Sequence, residues 1–455
     1  MIAVKYRDIV RHSGARSQGV DLEAGVANLT IDSREVKPGA LFVALPGSHT
    51  HGHQFVPQVW QQGGVSLVED GFGTVSGPTF FAPSPLEAMG RLTRGLVQER
   101  QTFVVAITGS VGKTSVKELT AAVLSALYPT GKSQGNHNTA IGIPLSYFRS
   151  RPDMTHFVAE MGMRALGEIA ALTAIIPPAV AVITNIGPNH LETLGTMKNI
   201  QRAKGEILQG LGPRGTAVLN RDDELVRELA TTIPNNQILW YGSHEGDAVV
   251  KQAVVKPPRT EITWEYGSKT YTVAIPWVGS HHGLNVAAAF LAGIAAGMAP
   301  ETAVQGLRQV DPGAGRLQVH TLGGCVLLAD YYNASPRSVS MALDVLQAYP
   351  AGGRKVAVLG DMLELGGMEE AAHRETGEEA ARRADVVLAV GPRARAIQAG
   401  ARDLGAGAVW APDLDEAYGW LSQNLRAGDA VLLKASHGMM FEALHERLGQ
   451  WGGPH

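Results

Sequence analysis

The amino-acid sequence predicts an α/β protein of three domains, and three observations lead to this prediction. At 455 residues the chain is longer than one hydrophobic core usually supports. Apolar segments of strand length alternate with helical segments in two separate stretches, which is typical of parallel sheets covered by helices on both faces. The glycine-rich segment DPGAGR, at 311–316, separates the two stretches. We therefore predict domains at 1–98, 99–312 and 313–455.

The composition is that of a globular protein, with 45% hydrophobic and 18% charged residues. Lys and Arg total 39 against 42 Asp and Glu, so the net charge of -3 provides no general attraction to nucleic acid or anionic lipid. The single cysteine, Cys325, excludes an intramolecular disulfide and a multi-cysteine metal site. We expect it to be a buried thiol.

The sequence contains no segment that predicts export or membrane insertion. The N-terminal stretch MIAVKYRDIVRHSG has no apolar core long enough for a signal peptide. The longest apolar stretch, at 286–300, is too short to span a bilayer and is predicted to form a buried helix. We therefore expect a cytoplasmic protein.

The first domain combines short apolar runs with turn residues, which predicts a small α/β unit. An amphipathic helix at 90–100 then leads into the apolar strand 103–108, where a central parallel sheet begins. A turn-rich stretch at 241–276 is predicted to be an antiparallel hairpin that interrupts this sheet. The clearest further strands are 156–161, 179–187 and 215–220 of the central domain, and CVLLADYY, KVAVLGD, VVLAVG and DAVLLKAS of a Rossmann-like C-terminal domain.

A phosphate loop is the sharpest motif in the chain. The segment ITGSVGKTS, at 107–115, lies between a predicted strand and a predicted helix, the order that phosphate binding requires. Glycines let the backbone surround an anion, the lysine adds positive charge, and the threonine hydroxyl is a ligand for Mg²⁺. Ile107 stands where the longer Walker A pattern has its first glycine, and a chance glycine-rich turn is the alternative. The predicted ATP-binding residues are Gly109, Ser110, Gly112, Lys113, Thr114 and Ser115.

Polar residues also follow two of the central strands. Glu160 ends one strand and His190 follows another, so both are expected at the ligand-binding edge of the sheet beside Lys113 and Thr114. We predict that Glu160 and His190 bind the metal with Thr114; the alternatives are a surface carboxylate and a loop histidine. Asn136 and Asn138, in the amide-rich turn GNHNTAIGIP, are predicted to bind substrate. A phosphate loop alone leaves kinases, GTPases, motor ATPases and ligases open.

A family resemblance narrows this choice. The segments GSVGKTS, GNHNTAIGIP, EMG, NIGPNHLE, AKGEI, GSHHGLNVAAA, GAGRL, DYYNASP, GDMLELG and KASHGM occur in the order in which they occur in the Mur ligase family, and they cover nearly the whole chain. YNA-x-P and GDMLELG are similar to the members that add D-alanyl-D-alanine. The DNPR motif of the diaminopimelate-adding members is absent.

The resemblance implies roles for further residues. The first domain would hold the UDP-sugar through Ser33 and Arg34, although a polar turn is the alternative. Lys204 in AKGEI matches a lysine that becomes carbamoylated and serves the metal site. Histidines replace expected residues at positions 51, 282 and 437, which leaves their roles open. The remaining implied contacts are Asn285 with adenine, Arg316 with ATP phosphate, Asp330 with ribose and Asn333 with the dipeptide.

The implied activity is an ATP- and Mg²⁺-dependent ligation of D-alanyl-D-alanine to UDP-MurNAc-tripeptide through an acyl phosphate, in peptidoglycan precursor synthesis. We expect catalysis by Lys113, Lys204 and His190, small-molecule partners only, and a monomer. Two alternatives are a sibling ligase acting on folate-glutamate, cyanophycin or another Mur precursor, and a nucleotide-binding regulator that forms no bond. The third residue of the acceptor peptide is not identified by the sequence.

Overall fold

The computed structural model describes residues 1–47, 50–233, 237–311, 317–331 and 333–451. Within these residues the strands form three sheets, with five, nine and six strands along the chain. Each sheet lies inside one of the three predicted domains, so the predicted fold class is confirmed, while the domain boundaries themselves stay a prediction. None of the described helices is long and apolar enough to cross a membrane.

The N-terminal sheet has the strand order β1-β5-β4-β3-β2, with β1 antiparallel to β5 and the other neighbours parallel. Helix α3 begins earlier than the sequence predicted, because Ser84 accepts a hydrogen bond from the Glu87 amide and Pro85 suits the first helical turn. The strands are β1 (Arg16–Gln18), β2 (Asn28–Thr30), β3 (Ala40–Val43), β4 (Val65–Glu69) and β5 (Thr79–Ala82), and the helices are α1 (Tyr6–Ser13), α2 (Val56–Gln61) and α3 (Pro85–Glu99).

The central sheet has the order β14-β13-β12-β11-β10-β9-β6-β8-β7. Its strands are β6 (Phe103–Thr108), β7 (Thr130–Lys132), β8 (His156–Glu160), β9 (Val180–Ile183), β10 (Thr216–Asn220), β11 (Ile238–Gly242), β12 (Ala248–Lys256), β13 (Arg259–Tyr266) and β14 (Lys269–Ile275). Its helices are α4 (Lys113–Ser125), α5 (Gly142–Arg149), α6 (Glu168–Ile175), α7 (Leu191–Leu194), α8 (Met197–Gln209), α9 (Glu224–Ala230), α10 (His282–Ala295) and α11 (Pro300–Leu307).

The predicted antiparallel excursion differs from its expected form. Strands β12, β13 and β14 are antiparallel to one another, but β12 pairs in parallel with β11 and so extends the central sheet instead of interrupting it. Alternate residues of β13 are buried, including Ile262 and Trp264, because one face of the extension packs on α10. The rings of Trp264 and Phe290 lie 5.3 Å apart in this contact. The buried helix predicted at 286–300 corresponds to α10, which begins earlier, at His282, and ends at Ala295.

The C-terminal sheet has the order β15-β16-β20-β17-β18-β19, with β15 antiparallel at one edge. The sequence predicted its four inner strands, β16, β17, β18 and β20, and missed the edge strands, which are partly exposed and lack a continuous apolar run. The strands are β15 (Gln318–Leu322), β16 (Cys325–Asp330), β17 (Lys355–Gly360), β18 (Val386–Val390), β19 (Gly407–Ala411) and β20 (Ala430–Lys434), and the helices are α12 (Pro336–Ala348), α13 (Glu369–Ala381), α14 (Arg395–Asp403), α15 (Leu414–Asn424) and α16 (Phe441–Gly449). The thiol of Cys325 is buried, as expected.

The N-terminal and central domains share one apolar core. A continuous cluster of buried side chains extends from Ile2 and Ile9 to residues of α5 such as Phe148. The backbone amide of Ile2 donates to the carbonyl of Phe148 at 3.1 Å. The buried clusters of the C-terminal sheet consist almost entirely of C-terminal residues. The first two domains are therefore packed together as one body.

Candidate active site

The phosphate loop connects β6 to α4. Gly109 has a φ of +148°, and a Cβ there would lie 1.9 Å from the hydroxyl of Thr184, so only glycine fits this position. Ser110 donates to the carbonyl of Gly187 at 3.0 Å and accepts from its amide at 2.8 Å. These contacts tie the loop to the strand end after β9. The position of the loop is thereby tied to the sheet edge.

Lys113 begins helix α4 and extends back over the loop. Its ammonium donates to the carbonyls of Gly109 at 2.8 Å and Ser110 at 3.3 Å. The first backbone amides of α4 lie at the same place, because the initial amides of a helix lack partners within the helix. The end of β6 therefore presents both a cation and the N-terminus of a helix, a combination that suits a triphosphate.

A carboxylate completes this edge of the central sheet. Glu160, at the end of β8, is only 3% exposed and accepts from the hydroxyl of Thr114 at 2.5 Å and from the amide nitrogen of Asn138 at 3.1 Å. Lys117, a fully buried residue on α4, places its ammonium 3.8 Å from the same carboxylate and 3.2 Å from the carbonyl of Gly135. The sequence predictions missed Lys117, although its spacing of four residues after Lys113 places it on the same side of the helix.

His190 and Lys204 lie on the neighbouring elements. Nδ1 of His190 is 2.8 Å from a carboxylate oxygen of Glu364. Burial lowers the pKa of His190, and the charges of Lys204 and Lys113 act in the same direction, against Glu364. Lys204, on α8, is 2% exposed, and its burial, with a smaller contribution from Lys113, lowers its pKa well below the usual value for lysine. Both side chains therefore favour their neutral forms.

The donor atoms at this edge suit a hard cation. The Thr114 hydroxyl and the Glu160 carboxylate offer the oxygen ligands that Mg²⁺ prefers. Across the described ranges, no group of three or more His, Cys, Asp or Glu side chains could hold a metal ion alone. A cation here would also take phosphate oxygens and water as ligands, which is how Mg²⁺ is usually held at nucleotide sites.

The C-terminal domain contributes a second set of polar groups. Lys434, at the end of β20, pairs with Asp330 at the end of β16 at 2.8 Å and donates to the carbonyl of Asn333 at 2.6 Å. Lys434 was missed by the sequence predictions, although a lysine directly after an apolar strand is a recognisable signal. His281, just before α10, has a pKa lowered to about 4 by burial, with Asp330 opposing and Lys434 adding to the shift.

Both sets of residues line one cavity of about 980 Å³. Asn285 is buried beside it, and its amide nitrogen lies 3.3 Å from Nδ1 of His282. Residues that sequence reasoning missed also line it, among them Glu364, Lys434 and Ser436. The predicted residues that line the cavity are Gly109, Ser110, Gly112, Lys113, Thr114, Ser115, Asn136, Asn138, Glu160, His190, Lys204, Asn285, Asp330 and Asn333.

Two predicted contact residues lie elsewhere in the structure. Ser33 and Arg34 do not line this cavity. Ser33 is buried in a short turn of the N-terminal domain, and Arg34 pairs with Asp32 at 2.6 Å, which lowers the pKa of that carboxyl to about 2. Arg316 lies outside the described residues.

The three histidines that depart from the family pattern have different surroundings. Nδ1 of His51 accepts from the amide of His53 at 3.2 Å, so it caps a short turn of the N-terminal domain. His282 is buried beside Asn285, and burial lowers its pKa well below the usual value. His437 lines the cavity and lies 3.4 Å from Glu442.

Comparisons with known proteins agree along the whole chain. Residues 107–293 match the Mur ligase middle domain, residues 315–437 match the Mur ligase glutamate ligase domain, and residues 25–75 match the Mur ligase family catalytic domain. The UDP-N-acetylmuramoyl-tripeptide–D-alanyl-D-alanine ligase of Bacillus subtilis (strain 168) is 33% identical over 92% of each chain. The ligase of the same name from Escherichia coli (strain K12) is 33% identical over 87% of this chain and 88% of its own.

Solved structures show the same likeness. The structure of MurF from Acinetobacter baumannii superposes with a TM-score of 0.90 at 28% identity, over 98% of this chain and 99% of that one. The structure of MurF ligase from Thermotoga maritima in complex with ADP superposes with a TM-score of 0.83 at 29% identity, over 93% and 97% of the two chains.

Proposed function

This chain belongs to the Mur ligase family, and we propose that it joins D-alanyl-D-alanine to UDP-N-acetylmuramoyl-tripeptide at the expense of ATP, in peptidoglycan precursor synthesis. One observation supports this activity above the others. The phosphate loop, the buried Glu160 and the strand-end residues Asp330 and Asn333 line a single cavity, so ATP held by the loop would lie between two domains. The relatives that are similar along most of the chain have the same named activity.

The proposed reaction proceeds in two steps. The terminal carboxylate of the tripeptide attacks the γ-phosphorus of ATP, a new O–P bond forms, the bond to the bridging oxygen breaks, and ADP leaves. The amine of D-alanyl-D-alanine then attacks the acyl carbon, phosphate leaves, and the amine loses its proton. Because the carboxylate and the triphosphate repel each other, Lys113 and the amides of α4 stabilise the charge that develops during transfer.

We assign the metal site to Thr114, Glu160 and His190, with Lys204 as a further ligand residue once it carries a carbamate. Mg²⁺, when bound, offsets phosphate charge. Thr114 and Glu160 are held 2.5 Å apart, which keeps both oxygens directed at one position. Asn138 donates to the second oxygen of Glu160 and so fixes the plane of the carboxylate. Lys117 places a buried ammonium 3.8 Å from this carboxylate, so the two opposite charges offset each other.

We also propose that Lys204 is carbamoylated. Its neutral amine would form an N–C bond with carbon dioxide and lose a proton, which converts the side chain into an anion with two oxygen donors. Burial supports this, because the lowered pKa of Lys204 provides the neutral amine that the reaction needs. The anion would lie among the cationic groups of the cavity, whereas an ammonium would be repelled by Lys113.

The remaining assignments concern the contacts with the nucleotide, the dipeptide and the UDP-sugar. We propose that Asp330 binds the ribose and Asn333 the dipeptide, and that Asn285 contacts adenine. Ser33 and Arg34, in a turn of the N-terminal domain outside this cavity, would contact the uridine diphosphate. Asn136 and Asn138 lie on the cavity wall where the acceptor carboxylate would enter. The enzyme would act as a cytoplasmic monomer.

Phosphate release tests this function directly. The purified protein is incubated with ATP, Mg²⁺ and each of the diaminopimelate, lysine and ornithine forms of UDP-MurNAc-tripeptide, with and without D-alanyl-D-alanine. We expect release only when both substrates are present, and a product whose mass has increased by one dipeptide. Single D-alanine and L-alanyl-L-alanine serve as control amines. Equal turnover with ATP alone, or with a single amino acid, would contradict the proposed function.

A further inference from the structure

The segment GDMLELG, at 360–366, has no role in the proposed reaction, yet it reaches the central domain. A carboxylate oxygen of Glu364 lies 2.8 Å from Nδ1 of His190, and its other oxygen lies 3.4 Å from a guanidinium nitrogen of Arg164. Gly366 lies directly on the turn of α7, since a Cβ there would be 3.2 Å from the Cα of Glu192. The loop of one domain is thus seated on the histidine-bearing loop of the other.

The backbone of both contacting residues is unusual. Glu364 has a φ of +66° and His190 a φ of +58°, in the left-handed region that non-glycine residues seldom adopt. Such conformations persist where the surroundings hold them in place, and they concentrate at functional sites. Glu364 and His190 both adopt this conformation and also contact each other across a domain boundary. We therefore interpret the contact as specific.

The contact determines how His190 faces the cavity. An imidazole that donates its Nδ1 proton to a carboxylate has its lone pair on Nε2, and the hydrogen bond fixes the orientation of the ring. Carboxylates commonly hold metal-binding histidines in this way, and their loss weakens metal binding. His190 lines the cavity together with Thr114 and Glu160, so its second nitrogen is the one available to that site.

We propose, on the basis of the proposed function, that Glu364 is the positioning residue of His190, and that docking of the GDMLELG loop and binding of the cation therefore favour each other. The carboxylate arrives only when the C-terminal domain is docked, because β17 precedes it and α13 follows it in that domain. Coupling of this kind is reciprocal: whatever docking contributes to cation affinity, the cation contributes to docking.

Calorimetry with a β,γ-imido analogue of ATP tests this role. The analogue is titrated into each variant with Mg²⁺ and with EDTA, and the ratio of the two affinities measures the contribution of the cation. We expect Glu364→Ala to reduce this ratio about tenfold without changing the affinity in EDTA. Glu364→Gln, whose amide oxygen still accepts the Nδ1 proton, should retain more of the ratio than Glu364→Ala. Glu370→Ala, an exposed acidic residue of the same domain, should not change it.

A double-mutant cycle separates action through His190 from other effects. If Glu364 acts through His190, then Glu364→Ala causes no further loss in a His190→Ala background. An unchanged ratio in Glu364→Ala, or an equal loss in both backgrounds, would overturn the positioning role. A normal ratio in His190→Ala would overturn the proposed metal site as well. A reduced ratio in His190→Ala alone would leave the proposed function standing and remove only the role of Glu364.

Discussion

The N-terminal and C-terminal domains contact the central domain in different ways. The N-terminal domain shares a continuous apolar cluster with it, reinforced by the hydrogen bond from Ile2 to Phe148. The C-terminal domain contacts it through charged pairs around the cavity, such as Glu364 with Arg164, which are 46% and 75% exposed. Its apolar contact is smaller: Val278 is buried in the C-terminal cluster, and Val255 packs against that cluster. A further pair joins Arg337 and Asp223 at 4.0 Å.

This difference indicates which part of the site moves. Exposed ion pairs contribute only about 0–1 kcal/mol each, whereas a shared apolar core opposes separation over its whole area. The phosphate loop, Glu160 and the N-terminal domain should therefore form one preassembled half of the site. Asp330, Asn333 and Glu364 form the half that docks against it. The predictions below test this division.

Lys113→Ala tests the preassembled half and should have the largest effect. We expect activity to fall by about 10²–10³-fold, because the ammonium stabilises transferred charge in a site that is otherwise complete. The fold should be retained, since the Lys113 ammonium donates to the loop carbonyls of Gly109 and Ser110 and is not part of an apolar core. Phosphate release and circular dichroism measure the two quantities. Lys132→Ala, at an exposed position on β7, is the matched control. Near-normal turnover by a folded Lys113→Ala enzyme would refute the role.

Lys204→Ala tests whether Lys204, a buried lysine of the preassembled half, is carbamoylated. We expect a loss of about 10²-fold, at the upper end of what outer-shell and ligand changes cost a metal site. Acetate or propionate should restore part of the activity, because either supplies the missing oxygen donors. Lys198→Ala, an exposed position on the same helix, should behave as the unaltered enzyme. Two results together would contradict carbamoylation of Lys204: short carboxylates restore no activity to Lys204→Ala, and bicarbonate depletion does not change the activity of the unaltered enzyme.

The preassembled half is also the half that the sequence predicted well. Its ligands follow consecutive strands of one sheet, so the order of motifs gives their position in space. Gly109, Thr114 and Glu160 could be placed together in this way. Lys117 was not predicted as a site residue, because a lysine on a helix is usually solvated. Only the packed structure shows that it is fully buried.

The docking half depends on contacts that no local pattern contains. Glu364 meets His190 although 174 residues separate them along the chain, and the contact exists only once two domains are placed against each other. The edge strands β15 and β19 were not predicted for a different reason: half-exposed strands have weak apolar periodicity. The role of Arg316 stays a prediction.

Domain closure tests the docking half directly. We expect the imido analogue of ATP together with the UDP-precursor to reduce the radius of gyration in solution scattering, because substrate binding closes domains over many enzyme sites. Asp330 would then approach ATP from the C-terminal side. The Glu364→Ala variant should need more Mg²⁺ to reach the same compaction, whereas Glu370→Ala should not. An unchanged radius of gyration with both ligands would mean that the C-terminal domain does not move on binding. The division into a preassembled half and a docking half would then be wrong.

The smallest effect concerns His281, which lies between the two halves. Burial lowers its pKa to about 4, and the opposing charge of Asp330 is insufficient to restore it. In the unfolded chain its pKa is about 6.5. Between these values the unfolded state binds more protons than the folded state, so the free energy of unfolding decreases as the pH falls from about 6.5 towards 4. Above that window His281 is neutral in both states and has no effect on the pH dependence.

Urea unfolding at pH 7.5 and pH 5 measures this contribution. We expect the unaltered protein to lose stability on going to pH 5, and His281→Gln to lose less, because glutamine does not titrate. Part of the loss should persist in the variant, since burial also lowers the pKa of His282 and of His156. His244→Gln, at an exposed position, should show the full loss. Equal losses of stability in His281→Gln and His244→Gln would contradict this prediction. They would mean that the His281 side chain is hydrated in the folded protein.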